Sequence, residues 1–154
     1  MRALSDLGIP LDDVRQAVVD PDGELEPLVD MTFDVVVLGS HLVNHPDADQ
    51  RRRLLAFAGR HLAPGGRLLI EHHPVDWADS AEPTRPMPGA TLGMVDVRRD
   101  PPFVTAVSVY DVGGRIVRQP FTARVLSDEE LDAALEDAGL VRVARVGATW
   151  LEAR

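Results

Sequence analysis

The sequence contains no cysteine and no lysine among its 154 residues. Without cysteine the chain forms no disulfide, no thiolate nucleophile and no cysteine-ligated zinc site. Without lysine it has no side-chain amine for Schiff-base chemistry or for a lysine general base. The 16 basic residues are therefore all arginine, and they stand against 25 acidic residues.

The sequence also lacks a long apolar segment. No run approaches the ~20 residues that cross a bilayer, and the first seven residues, Met-Arg-Ala-Leu-Ser-Asp-Leu, are too polar for a signal peptide. The formal net charge of −9 argues against the basic surface that duplex nucleic acid requires. We therefore expect a cytoplasmic protein that binds neither nucleic acid nor membranes, folded as a single domain over residues 1–154 with its own hydrophobic core.

The most regular pattern of the chain is a strand, a helix and a second strand between residues 33 and 71. Phe33 to Leu38 is a continuous apolar run with β-branched residues, which is typical of a parallel strand buried on both faces. Asp47 is a candidate N-cap, with Gln50 at the position of a capping box, and it opens a predicted helix from about Ala48 to Leu62. The apolar stripe of that helix comprises Leu54, Leu55, Ala58 and Leu62.

Pro64-Gly65-Gly66 is predicted to stop this helix, and Arg67 to Glu71 is predicted to be the next buried strand. Short links between the elements predict a parallel pair of strands. Upstream, Val14 to Val19 is predicted to be another buried strand, followed by the turn-like Asp20-Pro21-Asp22-Gly23.

The second half of the chain changes pattern. Residues 75–90 are predicted to be a long loop, a type of segment that often serves function. Residues 91–124 are predicted to be an antiparallel meander whose last hairpin turns at Gly113-Gly114. A full capping box, Ser127 with Glu130, opens a helix that ends at Gly139, and strands at 141–146 and 149–153 close the chain as an antiparallel pair.

The order of a strand, a helix, a Leu-x-Pro-Gly-Gly turn and a strand ending in an acid resembles the later part of class I S-adenosylmethionine-dependent methyltransferases. The helix after Ser127 and the last strand pair are similar to the end of that family's domain, and Val14 to Asp20 would be its third strand. The resemblance implies an α/β fold with an incomplete Rossmann-like sheet, in which parallel core strands are joined by the antiparallel meander and the final strand pair. It implies methyl transfer from S-adenosylmethionine to a small-molecule acceptor.

The resemblance also implies a site at the carboxyl ends of the strands, where doubly wound sheets place their ligands. No metal ligand set is expected. Positions assigned to the cofactor are Asp20, Asp22, Gly39, Ser40 and His41. Candidate proton-transfer residues are His41, His45 and His72, since histidine titrates near neutral pH, and candidate substrate contacts are Asn44, His73 and Trp77.

The family's glycine-rich cofactor loop has no counterpart in this sequence, because no Gly-x-Gly-x-Gly occurs. The first two strand-helix units of the family are therefore expected to be missing. Two explanations stay open: the reading frame starts late and the enzyme is truncated here, or Val14 to Val19 pairs directly with Val35 to Leu38. Two other function classes also stay open. One is a non-catalytic relative that pairs with itself, as a homodimer, or with a full-length partner through an exposed sheet edge. The other is an unrelated α/β enzyme that uses the histidines at its strand ends, with or without a metal.

Overall fold

The computed structural model describes residues 31–77, 84–87 and 89–154. The predicted strand at Val14 to Val19, and with it Asp20 and Asp22, lies outside the described residues. The described elements are, in chain order, β1 (Phe33–Leu38), a 3-10 turn (Leu42–Asn44), α1 (Ala48–Arg60), β2 (Leu62–Glu71), β3 (Thr84–Met87), β4 (Ala90–Asp100), β5 (Phe103–Val112), β6 (Arg115–Arg124), α2 (Asp128–Asp137), β7 (Arg142–Val146) and β8 (Trp150–Ala153).

The first sheet has the strand order β1-β2-β8-β7. β1 and β2 are parallel, with Val36 opposite Leu68, and β8 runs antiparallel to both β2 and β7. The parallel pair and the closing strand pair predicted from the sequence are confirmed. Three consecutive residues of β2, Leu68 to Ile70, are at most 1% exposed, because this strand is covered on both faces.

The two helices contribute buried side chains to the hydrophobic core. Asp47 caps α1 by accepting the backbone N–H groups of Asp49 and Gln50, and Ser127 and Glu130 form the predicted capping box of α2. Gly139 follows α2 in the left-handed conformation, at φ 73°. The helical residues buried in the core are Leu54, Leu55, Ala58, Leu131 and Leu135. In the part of the chain that the structure describes, no helix is long and apolar enough to span a membrane.

The prediction that Pro64-Gly65-Gly66 ends the helix is wrong. The helix ends at Arg60, and Leu62, predicted on its apolar stripe, already pairs with Phe33. Tertiary pairing therefore starts β2 before the Pro-Gly-Gly sequence, which becomes an irregularity inside the strand where the register shifts. A Cβ on Gly66 would lie 2.9 Å from the carbonyl oxygen of Ala63 and 3.1 Å from that of Asp34, so the close backbone approach accepts only glycine.

The second sheet is the meander β3-β4-β5-β6. The turn between β5 and β6 has Gly113 and Gly114 at φ 61° and 85°, as the hairpin prediction required. Within the predicted loop at residues 75–90, Thr84–Met87 forms an additional strand that pairs with β4. Under this sheet Trp77 packs with Val104 and Ala123 in a small hydrophobic cluster.

Candidate active site

Two loops meet at the carboxyl ends of β1 and β2. The backbone N–H of Ser40 donates to Glu71 Oε2 at 2.8 Å, and His41 Nε2 lies 3.8 Å from Glu71 Oε1. The side chains of His41 and Glu71 are 26% and 24% exposed, so the pair is partly shielded from water. Ser40 and His41 thus lie at the strand ends where the site is predicted, and their functional roles stay predictions.

The first loop leaves β1 through an unusual backbone. Ser40 and His41 have φ angles of 56° and 54°, in the left-handed region that costs energy for residues with a side chain. The hydrogen bond from the Ser40 N–H to Glu71 Oε2 offsets part of the energy that this backbone conformation costs. At Gly39, just before them, an added Cβ would lie 4.0 Å from Glu71 Oε2 and 4.0 Å from the Trp150 ring, in ordinary van der Waals contact.

Three aromatic rings stack on one another next to Glu71, in the order His41, His73 and Trp77. We call these three residues the ring stack. His41 and His73 have ring centroids 3.7 Å apart, His73 and Trp77 3.9 Å apart, and both interplanar angles are 17°. Burial, with smaller contributions from His41 and His72, lowers the pKa of His73 to about 3. The His73 ring is therefore neutral at physiological pH.

Asn44 ties the first loop to two other parts of the protein. Its side chain is buried, with the residue 2% exposed, and its amide nitrogen donates to the carbonyl of Arg124 at 2.8 Å. Its amide oxygen accepts the backbone N–H of His73, also at 2.8 Å. The predicted substrate contact by Asn44 is not what this geometry favours, because both ends of the amide serve the backbone.

His45 and His72, the other two predicted proton-transfer residues, have surroundings of their own. His45 Nδ1 accepts the backbone N–H of Asp47 at 3.1 Å, and Arg51 fixes the chain here by donating to the carbonyls of His45 and Pro46. His72 is 4% exposed, burial lowers its pKa, and its Nε2 finds no hydrogen-bond partner in the described part of the chain. A buried ring of this kind gives little support to the predicted proton-transfer role of His72.

The predicted substrate contacts His73 and Trp77 also have a different setting from the one expected. His73 is held between two rings, and Trp77 is 8% exposed within a core cluster. The sequence pattern places Glu71 at the strand end without indicating a site role for it, although it touches both Ser40 and His41. Within residues 31–77, 84–87 and 89–154 there is no group of three or more His, Asp or Glu side chains placed to hold a metal ion.

The sequence matches no protein-family model, and a search of curated proteins finds no significant match. Solved structures do match. The CcbJ methyltransferase from Streptomyces caelestis superposes with a TM-score of 0.63 at 19% identity, over 83% of this chain and 63% of that one. An S-adenosylmethionine-dependent methyltransferase from Clostridium acetobutylicum gives a TM-score of 0.65 at 12% identity, over 99% of this chain and 67% of that one.

A third match is CalS10 bound to S-adenosylmethionine, an amino pentose methyltransferase from Micromonospora echinaspora involved in calicheamicin biosynthesis. Its TM-score is 0.56 at 24% identity, over 81% of this chain and 59% of that one. The chain has the class I methyltransferase fold. The first sheet, in the order β1-β2-β8-β7, joins a parallel pair to an antiparallel closing pair, as the sequence resemblance implied. The chain spans about three fifths of the length of CcbJ and of CalS10.

Proposed function

We propose that this chain forms part of an S-adenosylmethionine-dependent methyltransferase that acts on a small molecule. The observation that carries the proposal is the meeting of Ser40, His41 and Glu71 at the carboxyl ends of two parallel strands, in a sheet of methyltransferase order. This is the end at which open α/β sheets bind their ligands. The small-molecule acceptor is supported by the amino pentose methyltransferase among the similar structures.

The described residues fit one side of a cofactor site. Gly39 lies next to the side chains of Glu71 and Trp150, with no side chain of its own between them, and Ser40 is exposed at the same strand end. We assign Gly39, Ser40 and His41 to this side. The cofactor contacts proposed from the sequence for Asp20 and Asp22 lie outside the described residues. When bound, S-adenosylmethionine supplies an activated methyl group on a sulfonium. The sulfur of the cofactor is the leaving group and becomes a neutral thioether.

His41 is the best placed of the proposed proton-transfer residues. A nucleophilic amine or hydroxyl that takes the methyl group must lose a proton, and a neutral imidazole can accept it. Glu71 faces the His41 ring and favours its charged form once the proton has arrived. Apart from this proton transfer, the protein aligns the acceptor and excludes water. His45 and Asn44 contribute by fixing the loop that follows β1.

The first prediction concerns cofactor affinity. Because the sequence has no glycine-rich loop, the purified chain should show weak or no saturable binding of S-adenosylmethionine in isothermal titration calorimetry. S-adenosylhomocysteine should behave in the same way, and a measured micromolar affinity for either would contradict the assignment of a partial site.

The intact mass of the protein from its source cells completes the test. A mass well above 16.8 kDa supports a part-enzyme, and a mass of 16.8 kDa favours the second candidate below.

The second candidate is a non-catalytic protein that pairs with itself or with a full-length partner along β1. Among the described residues β1 has one strand neighbour, β2, and Val37 is 38% exposed. An open strand edge can pair with another chain.

Light scattering on a sizing column should then show a dimer that Val37→Lys dissociates. Val143→Lys on β7, at a residue 52% exposed, is the matched control and should leave the dimer intact. A stable monomer at all concentrations would rule out pairing of the chain with itself.

A further inference from the structure

The ring stack connects the proposed site to the core under the second sheet. Trp77, at one end, packs with Val104 and Ala123 and lies 6.4 Å from the Phe121 ring between centroids. His41, at the other end, faces Glu71. His73 lies between them with both of its ring faces covered. The stack therefore connects the His41 ring, through His73, to a tryptophan that is packed in the core.

His73 is itself held firmly in the middle of the stack. Its backbone N–H donates to the buried amide of Asn44, and Asn44 is anchored in turn to the carbonyl of Arg124 at the end of β6. A neutral His73 ring stacks against His41 without placing a second positive charge beside it when His41 is protonated. The depressed pKa of His73 agrees with this arrangement.

The orientation of the His41 ring depends on more than its charged neighbour. The left-handed backbone at Ser40 and His41 fixes where the side chain starts, and the bond from Ser40 to Glu71 holds that backbone. The His41 Nε2 to Glu71 Oε1 distance of 3.8 Å is too long for a hydrogen bond, so this contact alone does not set the ring's orientation. The nearly parallel face of His73, with its centroid 3.7 Å away, restricts how the His41 ring can turn.

We propose that His73 and Trp77 are positioning residues whose stacked rings hold the His41 imidazole against Glu71. This gives them a different role from direct substrate contact. The inference rests on the proposed function only in making His41 the proton-transfer residue. The juxtaposition of His41 and Glu71 is a property of the chain itself and can be measured without cofactor or acceptor.

The test is a pH titration of the His41 ring by NMR, with the Glu71→Gln change made in two backgrounds. In the wild-type background, removing the Glu71 charge should lower the midpoint of the His41 titration by roughly half to one pH unit, the size expected for a charge about 4 Å away. In a His73→Leu background, which fills the space without a stackable ring, the same change should have less than half that effect. His73→Phe, which keeps a flat ring, should restore the full effect.

Two results would overturn the proposal. One is an equal effect of Glu71→Gln with and without His73, and the other is a His73→Phe protein that behaves like His73→Leu. Circular dichroism checks that each variant is folded, and Trp77→Leu replaces His73→Leu if the latter fails to fold. Because no methyl transfer is measured, a chain that never binds S-adenosylmethionine can still confirm the positioning role, and a working methyltransferase can still refute it.

Discussion

Replacing Asn44 by alanine should destabilise the protein by about 2 to 5 kcal/mol. An unpaired buried polar group costs about 1–3 kcal/mol, and this change leaves two partly buried groups without that partner, the backbone N–H of His73 and the carbonyl of Arg124. Asn44 is 2% exposed, so water cannot readily replace the lost amide. Urea unfolding at pH 7.5, followed by circular dichroism, measures the free energy of unfolding for both proteins.

The matched control for Asn44→Ala is Gln119→Ala, a polar truncation of an exposed residue on β6, which should change the free energy by less than about 0.5 kcal/mol. Asn44→Asp separates the two bonds, since a carboxylate can accept the His73 N–H but cannot donate to the Arg124 carbonyl. It should remain destabilised and should keep the His41 and His73 rings closer to their wild-type resonances than Asn44→Ala does. A loss below about 1 kcal/mol in Asn44→Ala would show that the two bonds do not hold the loop.

The sequence predicts the described fold well where local pattern and tertiary pairing agree. Phe33–Leu38 has the bounds expected from its apolar β-branched run, and the Gly113-Gly114 hairpin and the capping box at Ser127 follow from backbone chemistry alone. Pro64-Gly65-Gly66 fails as a boundary because the partner strand decides where β2 begins. Phe33 pairs with Leu62 before the glycines, and no local signal announces that pairing.

The site is predictable in its location and less so in the roles of its residues. Continuing the alternation of β2 past its end at Glu71 puts Glu71 and His73 on one side and His72 on the other, in agreement with the burial of His72 and the partial exposure of Glu71 and His73. The partner of Asn44 cannot be found in this way. Arg124 lies 80 positions further along the chain, and only the packing of the second sheet against the loop brings its carbonyl there.

Acidification from pH 7.5 to pH 5 should cost the folded state about 1 to 2 kcal/mol, mainly through His73. Burial lowers the pKa of His73 to about 3 in the folded chain, against an ordinary value of about 6.5 in the unfolded chain. Between these values the unfolded state binds a proton that the folded state does not, so stability is complete above about pH 6.5 and falls with pH below it. The lowered pKa of His72 acts in the same direction.

Denaturant unfolding at half-unit steps between pH 7.5 and pH 5 measures this slope. The range stays above the region where Asp47, Asp128 and Glu130, whose pKa values are lowered by hydrogen bonds and nearby arginines, add their own acid sensitivity. His73→Phe should flatten most of the slope because the ring remains and the proton site does not. Gln119→Ala, which removes an exposed side chain with no titratable group, should leave the slope unchanged. If His73→Phe keeps the full slope, the acid sensitivity arises elsewhere and the ring stack does not depend on a neutral His73.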